Sequence, residues 1–164
     1  MFESFDQLKQ SVYNPCNLHL TNLTLDVESE AYEACRFQLN KRYVISRAAK
    51  ITPKKVGQFV TFWKRNHSEP IAPFHENDQI DFYTVSVRKG NEFGAFVFPK
   101  AVLIKKGIIS TEKKEGKRAF RVYPPWDSCT SKQAEKTQQW QLAFFYKIDL
   151  NTDLEKVKSL FGFI

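Results

Sequence analysis

The segment IDFYTVSVR, the Gly90-Asn91 break and the segment FGAFVF constrain the fold of this chain more than any other feature. Ile80 to Arg88 and Phe93 to Phe98 are rich in the β-branched and aromatic residues that fit a pleated, buried surface, and Gly90-Asn91 supplies a tight turn between them. The three pieces predict a hairpin. A second hairpin is expected where Phe37 and Leu39, then Tyr43 and Ile45, alternate about Asn40-Lys41. Arg118 to Tyr123 and Ile108 to Ser110 read as two further strands around a charged turn.

Helical spacing surrounds these strands. Phe2, Phe5, Leu8 and Val12, with a Ser4/Gln7 capping box, predict an opening amphipathic helix, and the acidic segment Glu28 to Glu33 reads as a second. Thr52 as N-cap, Pro53 at the first helical position and the stripe Val56, Phe59, Val60 and Trp63 predict another, with Lys54, Lys55, Gln58 and Thr61 on its other side. Pro99 to Ile104 reads as a short helix stopped by Gly107. Beyond the Pro124-Pro125 break, Thr130 with Gln133 caps a helix expected from about Ser131 to Tyr146. Thr152 with Glu155 caps a last one, whose apolar face is Leu154, Val157, Leu160 and Phe161. Asn66 to Asp78 is a long loop. This order predicts one α/β (mixed α+β) domain spanning 1–164, with a central mixed or antiparallel sheet flanked by helices.

Charge is segregated along the chain. Residues 41–66 hold eight Lys or Arg and no acid, and residues 88–123 hold ten against three acids, whereas 1–40 and 67–87 are acidic. Two concentrated basic blocks in a chain of net charge +7 point to a polyanion-binding face, with nucleic acid the expected partner. The three cysteines, without a CxxC pair, fit neither a disulfide framework nor a zinc site and read as reduced thiols, and no apolar run reaches membrane-spanning length. A cytoplasmic protein is expected. GxGxxG, Walker, HExxH and GxSxG motifs are absent, and His19, His67 and His75 have no metal-ligand spacing.

The candidate binding residues lie in two motifs. AKITPKKVGQFVTFWKR places Lys50, Lys54 and Lys55 around the amino-terminal turn of the expected helix, against the usual dipole preference, with a solvated face as the bland alternative. EGKRAFRVYPPWD interleaves Lys117, Arg118 and Arg121 with Phe120, Tyr123 and Trp126. Strand alternation sends Phe120 and Val122 to the core, leaving Tyr123 and Trp126 as candidates to stack on bases. Gln58 is expected to line the same surface.

These motifs, with DFYTVSV, FGAFVFPKAVLIKKGIIS and KQAEKTQQWQ, resemble the MepB-like protein family over roughly residues 31–146, leaving the first and last helices as flanking elements. The resemblance implies a domain similar to restriction-endonuclease-like proteins and a nucleic-acid-binding role. Nucleases of the PD-(D/E)xK type place an Asp at one strand end, and an acid two residues before a Lys on the paired strand, to hold a divalent metal. Asp81 and Lys100 occupy such positions, but the place of the second acid is taken by Phe98, followed by Pro99. Glu33 or Glu92 are the substitutes from elsewhere in the chain, and Gln141 is followed four residues later by Phe145 where some of these nucleases have Tyr. The expectation is a degenerate nuclease fold that binds the phosphate backbone without a cofactor. The alternatives are a Mg- or Mn-dependent nuclease with a migrated carboxylate and a module that docks on an acidic protein.

Overall fold

The computed structural model describes residues 2–163. Its strands are β1 (Leu20–Leu25), β2 (Cys35–Leu39), β3 (Arg42–Ala48), β4 (Lys50–Ile51), β5 (Gln58–Thr61), β6 (Trp63–Lys64), β7 (Ala72–Pro73), β8 (Phe82–Lys89), β9 (Glu92–Pro99), β10 (Ala119–Val122) and β11 (Phe145–Lys147). The helices are α1 (Glu3–Leu8), α2 (Lys100–Lys105), α3 (Lys132–Leu142) and α4 (Leu154–Leu160). A six-stranded sheet of order β1-β2-β3-β8-β9-β11 forms the centre, and it is mixed because β3 and β8 alone pair in parallel. Both hairpins expected from the alternation, β2–β3 and β8–β9, are present.

The centre of this sheet is buried on both faces. Phe82, Phe93, Ala95 and Val97 point into one core with Phe5, Leu8, Tyr13, Val157 and Phe161, so the chain's first and last helices cover that side. Tyr83, Val85, Phe96 and Phe98 point the other way, against Val60, Phe62, Leu103 and Val122. Fully burying side chains of this size contributes ~1.5 to 3 kcal/mol each, which makes the β8–β9 pair the main apolar anchor. The second face is covered by a small sheet of order β10-β5-β4, by α2 and by Trp140 of α3. Phe62 stacks on Tyr83 at 4.1 Å between ring centroids. Among the described residues no helix is long and apolar enough to cross a membrane.

The helix expected from Thr52 to Trp63 does not form. Instead β4 leads into a turn over residues 52–57 and the chain continues as β5 and β6. Gly57 is at φ +82°, which no right-handed helix accommodates, and Gln58, Val60 and Phe62 are buried while Phe59, Thr61 and Trp63 are only partly covered. That is a period of two. Phe62 is fully buried, yet it falls outside the helical stripe.

Other boundaries shift for local reasons. Ile108 to Ser110 make only an isolated bridge, His75 to Ser110. Ser131, not Thr130, caps α3 by accepting from Ala134 N at 3.1 Å, and the helix ends at Leu142 so that Phe145 to Lys147 can pair with β9. Asp153 rather than Thr152 caps α4, accepting from Lys156 N at 3.1 Å. At the amino terminus α1 has no side-chain cap, and it runs on as a π-helical turn over Lys9–Tyr13. The acidic segment is a 3-10 helix over Val27–Tyr32.

Two contacts fix the small sheet. A Cβ on Gly57 would lie 2.6 Å from the Tyr123 ring and 3.0 Å from Val122 O. Gln141, fully buried on α3, accepts from Tyr123 N at 2.8 Å and donates to Arg121 O at 3.0 Å, so its amide completes the edge of β10 as a neighbouring strand would. In urea unfolding, Gly57→Ala is expected to cost about 1 to 3 kcal/mol, more than Gly90→Ala, whose Cβ meets nothing within 4 Å. Gln141→Leu, which leaves Arg121 O and Tyr123 N unpaired, is expected to cost about 1 to 3 kcal/mol by the same measurement.

Candidate nucleic-acid interface

Pairing within the small sheet brings the two basic blocks together. Arg121 of β10 lies opposite Phe59 of β5, which lies opposite Lys50 of β4, so residues distant in sequence share one row. Arg121 also reaches into the 52–57 turn: its Nη1 donates to Val56 O and Gly57 O at 3.4 and 3.3 Å, and its Nη2 to Thr52 Oγ1 at 2.6 Å. Its guanidinium is 5.9 Å from the centroid of Phe59. Arg121 therefore ties one block to the other while its own donors are largely used by the protein.

Lys54 and Lys55 stand exposed at the turn, beside a depression of about 490 Å³ whose rim includes Lys89, Trp126 and Asp127. No helix amino terminus supports them, so the dipole offered by the expected helix is absent and only their own charge remains. Lys50 lies on β4 with its ammonium 4.6 Å from the centroid of Tyr32. Among the described residues Asp127 is the one acid lining this depression. Burial pushes its carboxyl above the usual range, opposed by Lys89 at 3.8 Å and a backbone hydrogen bond from Gly57.

A groove of about 310 Å³ runs between β10 and α3. Lys106, Lys117 and Arg121 supply its charge, Phe120, Tyr123 and Trp140 its rings, and no Asp or Glu lines it. The amino-terminal turn of α3, through Ser131, Gln133 and Ala134, faces the same space, and a helix start adds favourable dipole for an anion. Lys50, Lys54, Lys55, Lys106 and Lys117 have no carboxylate within ion-pair distance among the described residues. Arg118 differs, since Glu115 holds it at 3.2 Å. Tyr123 lies between groove and turn, with its ring against Gly57. Burial raises its hydroxyl pKa, against the pull of Arg121.

Two of the expected binding residues are drawn into the protein. Gln58 is 1% exposed and donates to Arg88 O at 3.2 Å, so it faces the core and not the surface. Strand alternation explains this, because Gln58 shares its face with Val60. Trp126 packs edge-on against Phe145 at 5.9 Å, and its Nε1 is buried without a partner. Lys106 and Trp140, absent from the sequence-derived set, meet with the ammonium 5.2 Å from the ring centroid. Trp140 falls in the motif KQAEKTQQWQ, and its helical position facing β10 was the signal available for it.

The nuclease-like positions serve structural ends. Asp81 Oδ2 accepts from Tyr43 N at 2.8 Å, and Lys100 Nζ donates to Asp78 O at 2.6 Å. Glu33 accepts from Phe5 N at 3.1 Å, whereas Glu92 pairs with Lys147 at 3.3 Å. Glu92 is opposite Lys89, at the far end of the hairpin from Asp81, which precedes the pair Phe82 and Pro99. Among the described residues no three His, Cys, Asp or Glu side chains form a group able to hold a metal ion. Cys16, Cys35 and Cys129 are free, and burial raises the pKa of each, that of Cys35 to about 12, which keeps these thiols protonated.

The comparisons with known proteins agree with this arrangement of sheet and helices. No curated protein matches the chain. The chain is similar to a solved structure described as the crystal structure of MepB, with 33% identity and a TM-score of 0.76, covering 90% of this chain and 97% of that one. The MepB-like family model matches residues 26–147, which contain the whole of the small sheet, the groove and α3. The chain belongs to the MepB-like family.

Proposed function

We propose that this domain binds nucleic acid, holding the phosphate backbone along the ground between the 52–57 turn, β10 and α3. One observation carries the reading. The groove lined by Lys106, Lys117 and Arg121 contains aromatic rings but no carboxylate, in a chain of net charge +7. None of these cations has a carboxylate partner among the described residues, so their charge stays available to phosphates, and release of the counterions held by nucleic acid drives such binding. Lys54 and Lys55 extend the ground on the other side of Tyr123, whose ring is the best placed to stack on a base.

In this reading the central sheet is a restriction-endonuclease-like framework kept for binding. Asp81 and Lys100 stand at the ends of β8 and β9, where a nuclease would hold a metal ion and its catalytic lysine. Their engagement with Tyr43 N and Asp78 O, together with Phe98 in place of the second acid, favours binding without cleavage. A reducing cell interior suits the free thiols, two of which are buried.

Fluorescence anisotropy with labelled duplex and single-stranded DNA and RNA, measured across a salt series, tests the binding. Affinity is expected to fall log-linearly with salt, and removing a phosphate contact is expected to lower the slope by ~0.9 on duplex DNA. The double variants Lys54→Ala/Lys55→Ala and Lys106→Ala/Lys117→Ala should each flatten it. No binding to any oligonucleotide at low salt, or wild-type slopes in both variants, rejects the proposal. Salt-sensitive capture of an acidic protein in that situation would assign the face to a protein partner. Incubation of the same substrates with magnesium or manganese should leave them intact. Cleavage that Asp81→Asn abolishes would instead establish a metal-dependent nuclease.

A further inference from the structure

Arg47 of β3 is 3% exposed and has no carboxylate partner among the described residues. Its Nη1 donates to Thr61 Oγ1 at 2.8 Å and its Nη2 to Trp63 O at 3.0 Å, while its Nε is buried without any partner. A guanidinium is always ionised and carries five N–H donors, so two neutral acceptors leave its charge unmatched and part of its donor set idle. Buried charges are ordinarily paired. This one lines a pocket of about 250 Å³ between β6 and the 3-10 helix at Val27–Tyr32.

The rest of the pocket is charged but balanced. Arg36 pairs with Asp26 at 3.0 Å, Arg65 with Glu28 at 3.0 Å, and Lys64 with Asp78 at 2.8 Å. Trp63 forms an aromatic wall, with the Arg47 and Arg65 guanidinium carbons 5.7 and 5.8 Å from its ring centroid. Arg47 is thus the one cation lining this pocket without a carboxylate partner among the described residues, and the Trp63 ring lies beside it. The pocket shares no lining residue with the groove between β10 and α3.

We infer that this pocket binds a phosphate monoester, with the remaining Nη hydrogens of Arg47 on the phosphate oxygens and the organic group beside Trp63. A guanidinium edge matches an oxyanion with two parallel hydrogen bonds, and these are strongest where water is excluded. The second charge of a phosphate dianion is met by Arg36, which lines the same pocket, is 56% exposed, and has donors beyond the one held by Asp26. The phosphate group belongs either to a free mononucleotide or to the 5′ end of a strand, since both present the same chemistry.

Calorimetric titration and thermal shift of the full chain test this with adenosine 5′-monophosphate, a 5′-phosphorylated dinucleotide, and adenosine and a 5′-hydroxyl dinucleotide as controls. The phosphorylated probes are expected to bind and raise the melting temperature, and the controls to do neither. Binding of the mononucleotide alone assigns the site to free nucleotides, while binding of both extends it to strand ends. Arg47→Gln should weaken the interaction at least about tenfold, equivalent to 1.4 kcal/mol. Should that variant fail to fold, Arg36→Gln at the exposed rim should still weaken it severalfold. Neither change is expected to alter the salt dependence of oligonucleotide binding at the groove, so the two sites fail separately. Absence of phosphate-dependent binding in the wild type, or unchanged affinity in the Arg36→Gln chain, overturns the inference.

Discussion

The burial of the β8–β9 hairpin on both faces governs everything else in this molecule. A two-stranded ribbon with Phe82 and Val97 on one side and Tyr83, Phe96 and Phe98 on the other cannot leave either side to water, so the chain must supply two covering layers. The termini supply one through α1 and α4. The other comes from β4, β5 and β10, short strands whose inner residues Val60 and Val122 are fully buried and whose outer residues are free to carry charge. Because strand alternation separates these two duties residue by residue, a strongly basic surface is built directly on an aromatic core.

Much of this was legible in the residues, and the unread part has a specific cause. The hairpins announced themselves because alternation, turn residues and β-branched content agreed at each place. Residues 52 to 64 sent conflicting signals: Val56, Phe59, Val60 and Trp63 satisfy a helical period, while Gln58, Val60 and Phe62 satisfy a strand period. What decided between them was long-range, namely the Tyr123 ring packed on Gly57 and the Phe62 ring stacked on Tyr83. No local window contains Tyr83 or Tyr123. The same holds for Gln141, which was visible as a residue of a family motif but whose role, closing the edge of β10, exists only once helix and strand are side by side.

The candidate site was legible to a similar depth. Counting charge located the right segments but could not sort the cations by how they are used. Arg121 is committed to holding the 52–57 turn, Arg118 to Glu115, and Lys100 to Asp78 O, whereas Lys54, Lys55, Lys106 and Lys117 remain uncommitted among the described residues. The difference follows from reach and chemistry. A planar guanidinium with several donors readily satisfies neighbouring oxygens, as Arg121 does with two backbone carbonyls and the Thr52 hydroxyl, while a lysine at a turn tip has nothing within range to bond. Neutralising a committed arginine would disturb the fold and binding together, so only the uncommitted lysines report on binding alone.

Arg47 belongs to neither group, and that is what gives it weight. It lies on β3 two residues beyond Ile45, on the face that points toward the small sheet, so the alternation that buries Ile45 also carries Arg47 under cover. An apolar residue would fill such a place at less electrostatic cost, since desolvating a charge is expensive unless its partners are good. Thr61 and Trp63 bind the guanidinium from the overlying strands and fix its direction, but they supply neutral oxygens. A cation that is buried, oriented and left without a carboxylate partner, beside an open space walled by a tryptophan, is suited to an anion from outside the chain. Stability selects against that combination, and anion binding selects for it.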